Sequence, residues 1–365
     1  MYNKGARNIM RVKYARISGH RSLGFAALLV SVTMPAAAPA QANPPAGSID
    51  NASVLSEFGG RPAFSPNGKR IAFVGHTYGD AFEIDLATRR IRNLTRNIPH
   101  HGIVRIQYLP NGDYLVTAPR AQPGPNARAH LEMWVLDKSL EKGMQPLGQQ
   151  VFEGIAVSRR TNLIAWTVIE PELKPGEAWQ IGFARPTKRY TAQIAYRGGV
   201  PRLVEKREIM AQLPRECNFI EPQDFRDADQ ELVYICMGQL SDAGVSISVM
   251  GTKLPGGESK VYFRRPGEYG EVEGIAPSGQ WASVECGKQE KAALPPLDIC
   301  RLELKEDGAI SRLVIGTQPG GTRDISNPVV SPDGQWIAFQ RSDRNDPDIG
   351  GGSGVLLMEI PPSER

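Results

Sequence analysis

Arg61-Pro-Ala-Phe-Ser-Pro-Asn-Gly-Lys-Arg-Ile-Ala-Phe73 returns near the far end of the chain as Asn327-Pro-Val-Val-Ser-Pro-Asp-Gly-Gln-Trp-Ile-Ala-Phe339. Each copy reads as a short apolar strand, a Ser-Pro-Asx-Gly turn and a second β-rich strand. Pro66 and Pro332 preset the φ of a turn's second position, Asn67 and Asp333 tolerate the bend, and Gly68 and Gly334 accept positive φ. Ile71-Ala-Phe73 and Ile337-Ala-Phe339 are short apolar runs that suit a strand covered on both faces. A lone hairpin cannot cover both faces, so each unit needs neighbours, and recurrence of the unit implies a stack of small sheets.

Aligning the chain on its turns gives six copies, spaced 44 to 68 residues apart. A four-stranded blade with short loops needs roughly 40–50 residues. Copy one continues through strands at 81–86 and 90–95. Copy two is Val104-Arg-Ile-Gln-Tyr-Leu-Pro-Asn-Gly-Asp-Tyr-Leu-Val-Thr117 with a strand at 131–136. Copy three starts at Gly154-Ile-Ala-Val157, and its later strands are expected at 179–184, 191–196 and 201–206. Copy four spans 222–236, then 245–250 and 259–263. Copy five spans 273–281, then 299–304 and 310–315. Copy six ends with 354–360, one strand short. The segment 52–58 ahead of copy one is expected to supply the missing outer strand, leaving only short, protected edges. The fold class is thus all-β: a six-bladed β-propeller with four antiparallel strands per blade, closed by an N-terminal strand. Excess length falls in copy three and in loops 120–129 and 343–353, and long irregular loops are usually functional or disordered.

The first 42 residues read as a secretory leader. Residues 1–21 carry six Lys or Arg and no acid, residues 23–32 are apolar, and Ala40-Gln41-Ala42 offers a small-residue cleavage site. The apolar run is far shorter than the roughly 20 residues of a membrane span. No membrane anchor is therefore expected after cleavage, and the location is periplasmic or secreted. Residues 43–50 read as a short linker and 51–365 as the propeller. The chain has 43 basic and 39 acidic residues, and loss of the leader leaves 37 against 39. A near-neutral mature protein without a basic stripe excludes nucleic acid as a partner.

All four cysteines, Cys217, Cys236, Cys286 and Cys300, lie in one region. Export permits disulfides and four cysteines allow three connectivities; sequence neighbours favour Cys217–Cys236 and Cys286–Cys300. No CxxC spacing occurs and no histidine follows His130, so no metal and no cofactor are expected.

The motifs RPAFSPNGKRIAF and NPVVSPDGQWIAFQ resemble the WD-like repeats of the TolB family, which are six-bladed periplasmic β-propellers. The resemblance covers most of residues 50–360 and is closer to secreted propellers of unknown activity than to TolB itself. TolB carries an α/β domain ahead of its propeller, and no such stretch lies between Ala42 and the first repeat. The resemblance implies fold and says little of chemistry.

In a propeller the first strand of each blade lines a central channel. The residues at the starts of these strands are Arg61, Arg105, Glu153, Glu221 with Gln223, Glu271 with Glu273, and Asn327, with His100 and His101 just before copy two. The ligand-binding candidates are Arg61, His101, Arg105, Glu153, Glu221, Gln223, Glu273 and Asn327, a polar ring of mixed sign at one channel mouth. It suits a glycan or a peptide, with arginine gripping carboxylates; against this, such charges also pair with one another in wet channels. As an enzyme, the chain would use Glu153 and Glu273, each followed by Gly-Ile-Ala, as acid and base of a polysaccharide lyase or glycosidase. A third reading is a Tol-type envelope scaffold with a protein partner. A monomer is expected. No G-x-S-x-G occurs, and Asp343-Arg-Asn-Asp-Pro-Asp348 lacks the Glu of a calcium loop. His76, His100, His101 and His130 read as exposed loop residues, and Trp134, Trp166, Trp281 and Trp336 as packing between blades.

Overall fold

The computed structural model describes residues 47–121, 127–174, 177, 179–241, 244–289, 295–316, 323–343 and 352–365. The proposed leader, the first half of the linker and the Asp-rich stretch 344–348 lie outside these. Six antiparallel sheets follow one another along the chain. Blade one is built from Gly60–Phe64, Arg70–Val74, Ala81–Asp85 and Ile91–Asn93. Blade two comprises Arg105–Tyr108, Tyr114–Pro119, Leu131–Leu136 and Met144–Val151, and blade three Ile155–Val157, Leu163–Ile169, Thr187–Arg197 and Val200–Ile209. Blade four runs through Phe219–Arg226, Glu231–Ser241, Gly244–Lys253 and Ser259–Phe263, and blade five through Glu268–Ile275, Trp281–Lys288, Asp298–Glu303 and Ile310–Ile315. Blade six takes Arg323–Val330, Trp336–Asp343 and Val355–Glu359 from the end of the chain and Ser53–Ser56 from its beginning.

The apolar core is divided by blade. One cluster of buried side chains fills each of the six interfaces, including that between blades six and one, where Leu55, Ile71, Phe73, Ala338 and Leu357 meet. Alternation explains this: strand residues point to opposite faces, and a blade between two neighbours buries both. The first strand of blade six lies against that of blade one, which closes the ring around an axis. Gly47–Ser48 pairs in parallel with the outer strand of blade five, an addition that the sequence does not announce.

The repeated turn is held by its own side chains. Ser65 Oγ accepts from the Arg70 N–H at 2.9 Å and Asn67 Oδ1 from the Lys69 N–H at 3.1 Å. Ser331 and Asp333 do the same for Trp336 and Gln335, at 2.9 and 3.0 Å. Gly68 and Gly334 take the left-handed conformation, at φ of 69° and 73°. Blade four has neither the proline nor the glycine, and it turns through three consecutive left-handed non-glycine residues, Asp227, Ala228 and Asp229. An L-residue in that region costs roughly 1–2 kcal/mol. Ala228→Gly is therefore expected to stabilise the protein by about 1 kcal/mol, read as a rise in the urea midpoint at constant slope. A midpoint that stays or falls would show that the turn is relaxed as it stands.

Two expectations are corrected. Trp179–Ala184 is a 3₁₀ helix, not a strand, and blade three finds its four strands without it. Phe183 from this helix packs edge-on to Phe152 and Phe219 at 5.3 and 5.1 Å, a contact that an extended segment in the sheet would forgo. Trp336 is partly exposed, while Trp166 and Trp281 are buried between blades. The cysteines pair as Cys217–Cys236 and Cys286–Cys300, each bridging within one blade. Loops of this length contribute about 3 kcal/mol apiece by the chain-entropy argument.

Candidate functional site

Three positions in or just before the inner strands share an unusual backbone. Arg61, Glu153 and Asn327 are left-handed, with φ of 54°, 66° and 52°. In blades one and six the ladder register shifts beside them, between Gly60 and Ala63 and between Ser326 and Val329. Such bulges re-aim side chains and free N–H groups from the ladder. The freed groups are taken by the neighbouring blade: Arg61 N–H donates to Gln340 Oε1 at 2.8 Å, and Asn327 N–H donates to Glu285 Oε1 at 2.7 Å. Gln340 and Glu285 stand at the same repeat position, four residues after Trp336 and Trp281. Gly60 allows this approach, since a Cβ there would lie 2.2 Å from Gln340 Oε1.

Arginines and glutamates from different blades interact around the axis. Arg128 Nε donates to both oxygens of Glu153, at 3.0 and 3.1 Å. Arg105 stands 3.8 Å from Glu273, and Tyr269 OH donates to Glu271. Burial, with Arg105 and Arg128 nearby, pulls Arg61 down to about 10. Burial pulls on Arg128 too, but Glu153 outweighs it and the guanidinium is held firmly charged. Burial, then the charges of Glu271 and Glu153, push Glu221 up to about 8. Glu271 is pushed up to about 7 by burial and then by Glu273. Glu273 is raised by burial despite Arg105, and Glu285 well above the usual range by burial and then by Glu273 and Glu271. Removing charges from water costs more here than pairing returns, so protons are retained.

The predicted residues are distributed as follows. Arg61, Arg105, Glu153, Glu221 and Glu273 belong to one electrostatic cluster. Asn327 joins it through its backbone hydrogen bond to Glu285. Gln223 and Glu273 line a cavity of about 420 Å³. Its wall includes Pro66, Pro110, Pro277 and Pro332, prolines of four repeat turns. This vestibule therefore opens at the turn end of the inner strands, opposite the mouth singled out by sequence. The Gln223 side chain is buried, and its Nε2 has no hydrogen-bond partner among the described residues; the same holds for His101 Nδ1. Such orphans are uncommon in native interiors and call for an explanation.

Of the histidines expected as exposed loop residues, His76 is one, while His100, His101 and His130 are only partly exposed. His100 Nε2 bonds to Asp80 at 2.9 Å while its Nδ1 accepts from Gly102 N–H, and His130 pairs with Glu172 at 3.1 Å. Arg128 and Glu285 escaped the sequence reading. Arg128 comes from the long loop of blade two, and Glu285 from a second strand, where only comparison with Gln340 in copy six points inward. Among the described residues, the carboxylates of Glu271, Glu273 and Glu285 come within 4.8 Å of one another.

No protein-family model matches this chain, and no curated protein does. Solved structures do. A gluconolactonase from Xanthomonas campestris is 12% identical with a TM-score of 0.52, covering 90% of this chain and 99% of that one. The calcium-binding protein regucalcin from Agrobacterium tumefaciens is 11% identical with a TM-score of 0.52, covering 85% and 94%. A TolB from Acinetobacter baumannii is 12% identical with a TM-score of 0.40, covering 69% and 55%. At such identities the likeness is one of fold.

Proposed function

We propose that this protein is an exported binding module of the TolB-like kind that takes a glycan or a peptide in its central channel, approached through the vestibule at the turn end. One observation carries the reading: Gln223, whose buried amide nitrogen has no partner among the described residues, lines the same cavity as Glu273. A donor left unmatched in the protein costs about 1–3 kcal/mol, and a ligand oxygen placed there recovers that cost. The paired disulfides accord with export.

Thermal-shift screening of oligosaccharides and short peptides tests the reading. The expected result is a ligand that raises Tm and is recovered unaltered, with Gln223→Ala weakening it about tenfold through the lost donor. A ligand whose affinity ignores Gln223 would place binding elsewhere. The enzyme alternative has one observation in its favour. Glu271 and Glu221, pushed up to about 7 and 8, hold protons near neutrality, as a general acid must. Appearance of cleaved glycan, abolished by Glu271→Gln, would replace binding with catalysis.

A further inference from the structure

We infer that Glu271, Glu273 and Glu285 form a socket for a primary ammonium group, carried by a lysine side chain or by the amino terminus of a peptide. The inference rests on the channel-binding reading and names the head group of its ligand.

Geometry comes first. An ammonium presents three N–H donors in a tetrahedral arrangement. With bonds of about 2.8 Å, its three acceptors stand roughly 4.6 Å apart. The carboxylate oxygens of Glu271, Glu273 and Glu285 fall within 4.8 Å of one another, so one nitrogen can reach all three. Each carboxylate is also held from outside the cluster. Glu271 accepts from Tyr269 OH, Glu285 accepts from Asn327 N–H at 2.7 Å, and Glu273 faces Arg105 at 3.8 Å, beyond hydrogen-bond reach. A carboxylate has two oxygens and about four acceptor positions, so these contacts leave capacity for an incoming donor.

A second observation points to a ligand and not to a simple cation. Gln223 is 6% exposed and lines the vestibule together with Glu273. Its unmatched Nε2 is a donor, and it asks for an acceptor. A bare metal ion supplies none. A peptide supplies both groups: an ammonium for the three glutamates and a carbonyl oxygen for the amide. The vestibule's remaining wall includes Phe64, Val157, Val329 and Val330, which suit the aliphatic part of such a ligand.

The experiment is isothermal titration at about pH 8. Four probes are used with the intact propeller: Nα-acetyl-lysinamide, alaninamide, Nα-acetyl-norleucinamide and calcium chloride. The first carries only a side-chain ammonium, the second only an amino terminus, and the third is the neutral counterpart of the first. Binding of either amine, no binding of the norleucine compound, and a loss of tenfold or more in Glu285→Gln are expected. Which amine binds identifies the source. Because Glu285 also accepts from the Asn327 N–H, Glu273→Gln is measured beside it, and both are checked by thermal melting. Equal binding of the norleucine compound would overturn the socket, as would calcium binding that no amine displaces. Should a neutral glycan bind in a Gln223-dependent way while both amines fail, the socket falls and the channel reading stands. Should nothing bind, both fall.

Discussion

Leu55→Asp is expected to destroy the cooperative unfolding transition, while Val54→Asp, one residue away, leaves it nearly unchanged. Both residues sit in Ser53–Ser56, the strand that the front of the chain lends to blade six. The ladder shifts register between Val54 and Ser56, and the two residues part there: Leu55 is 7% exposed and packs among Ile71, Phe73 and Leu357, whereas Val54 is 44% exposed. A carboxylate at position 55 would be buried with no partner, at a cost of several kcal/mol. Loss of the leucine's own packing adds about 2–5 kcal/mol. Ordinary domains hold a margin of only about 5–15 kcal/mol. The cost falls at the seam where the front of the chain pairs with its last strand. There the ring relies on Gly354 N–H to Gly59 O at 3.0 Å, Arg341 to Glu57 at 3.0 Å, and the buried Gln340 side chain on Arg61. Differential scanning calorimetry of the two variants decides the matter. A sharp transition for Leu55→Asp within about 5 °C of the parent would mean that the strand is decoration and the ring holds without it.

The fold was legible because its signal is local and repeated. Ser65, Asn67 and Gly68 make the turn with bonds spanning no more than five residues, so the motif carries its own structure wherever it recurs. Even the borrowed strand could be inferred, since copy six ran out one strand early. What failed was non-local. Trp-Gln-Ile-Gly-Phe-Ala at 179–184 has strand-like residues, but Phe183 finds Phe152 and Phe219 by leaving the sheet, and packing overrides propensity. The site was half legible for the same reason. Residues at inner-strand starts follow from the repeat, which yields Arg61, Glu153, Glu221 and Glu273. Arg128 arrives on the short 3₁₀ helix Ala127–His130 between two strands and Glu285 from a second strand, and neither position is fixed by the motif. The open mouth depends on how the six turns, four of them with prolines, pack together, a property of the ring and of no single repeat.

Raising the pH from about 5 to 8.5 should destabilise the ligand-free protein by several kcal/mol, and the channel glutamates set the sign. Glu221, Glu271, Glu273 and Glu285 are all held above the ordinary carboxylate range, with Glu271 at about 7 and Glu221 at about 8. A carboxyl raised in the folded state favours folding while both states are protonated. That advantage disappears as the pH climbs through the folded-state value. Every tenfold gain in proton affinity on folding is worth about 1.4 kcal/mol. Arg61, Arg105 and Arg128 moderate the effect without cancelling it, since burial is the leading cause for all four carboxyls. At the acid end the slope reverses. Asp80 and Glu83 are held low despite burial, by hydrogen bonds from Asn93 and His100 and from Tyr108 and Tyr114, and their contribution is lost as they protonate. Stability should therefore peak in mildly acid solution. Glu271→Gln supplies the diagnostic, because a neutral amide in place of a reluctant acid removes its share, about 3 kcal/mol, of the alkaline loss. The variant should match the parent near pH 5 and melt about 5 °C higher near pH 8.5. Parallel Tm profiles for parent and variant across that interval would mean that the channel carboxylates ionise as if in water, and the pressure for a cationic ligand would go with them.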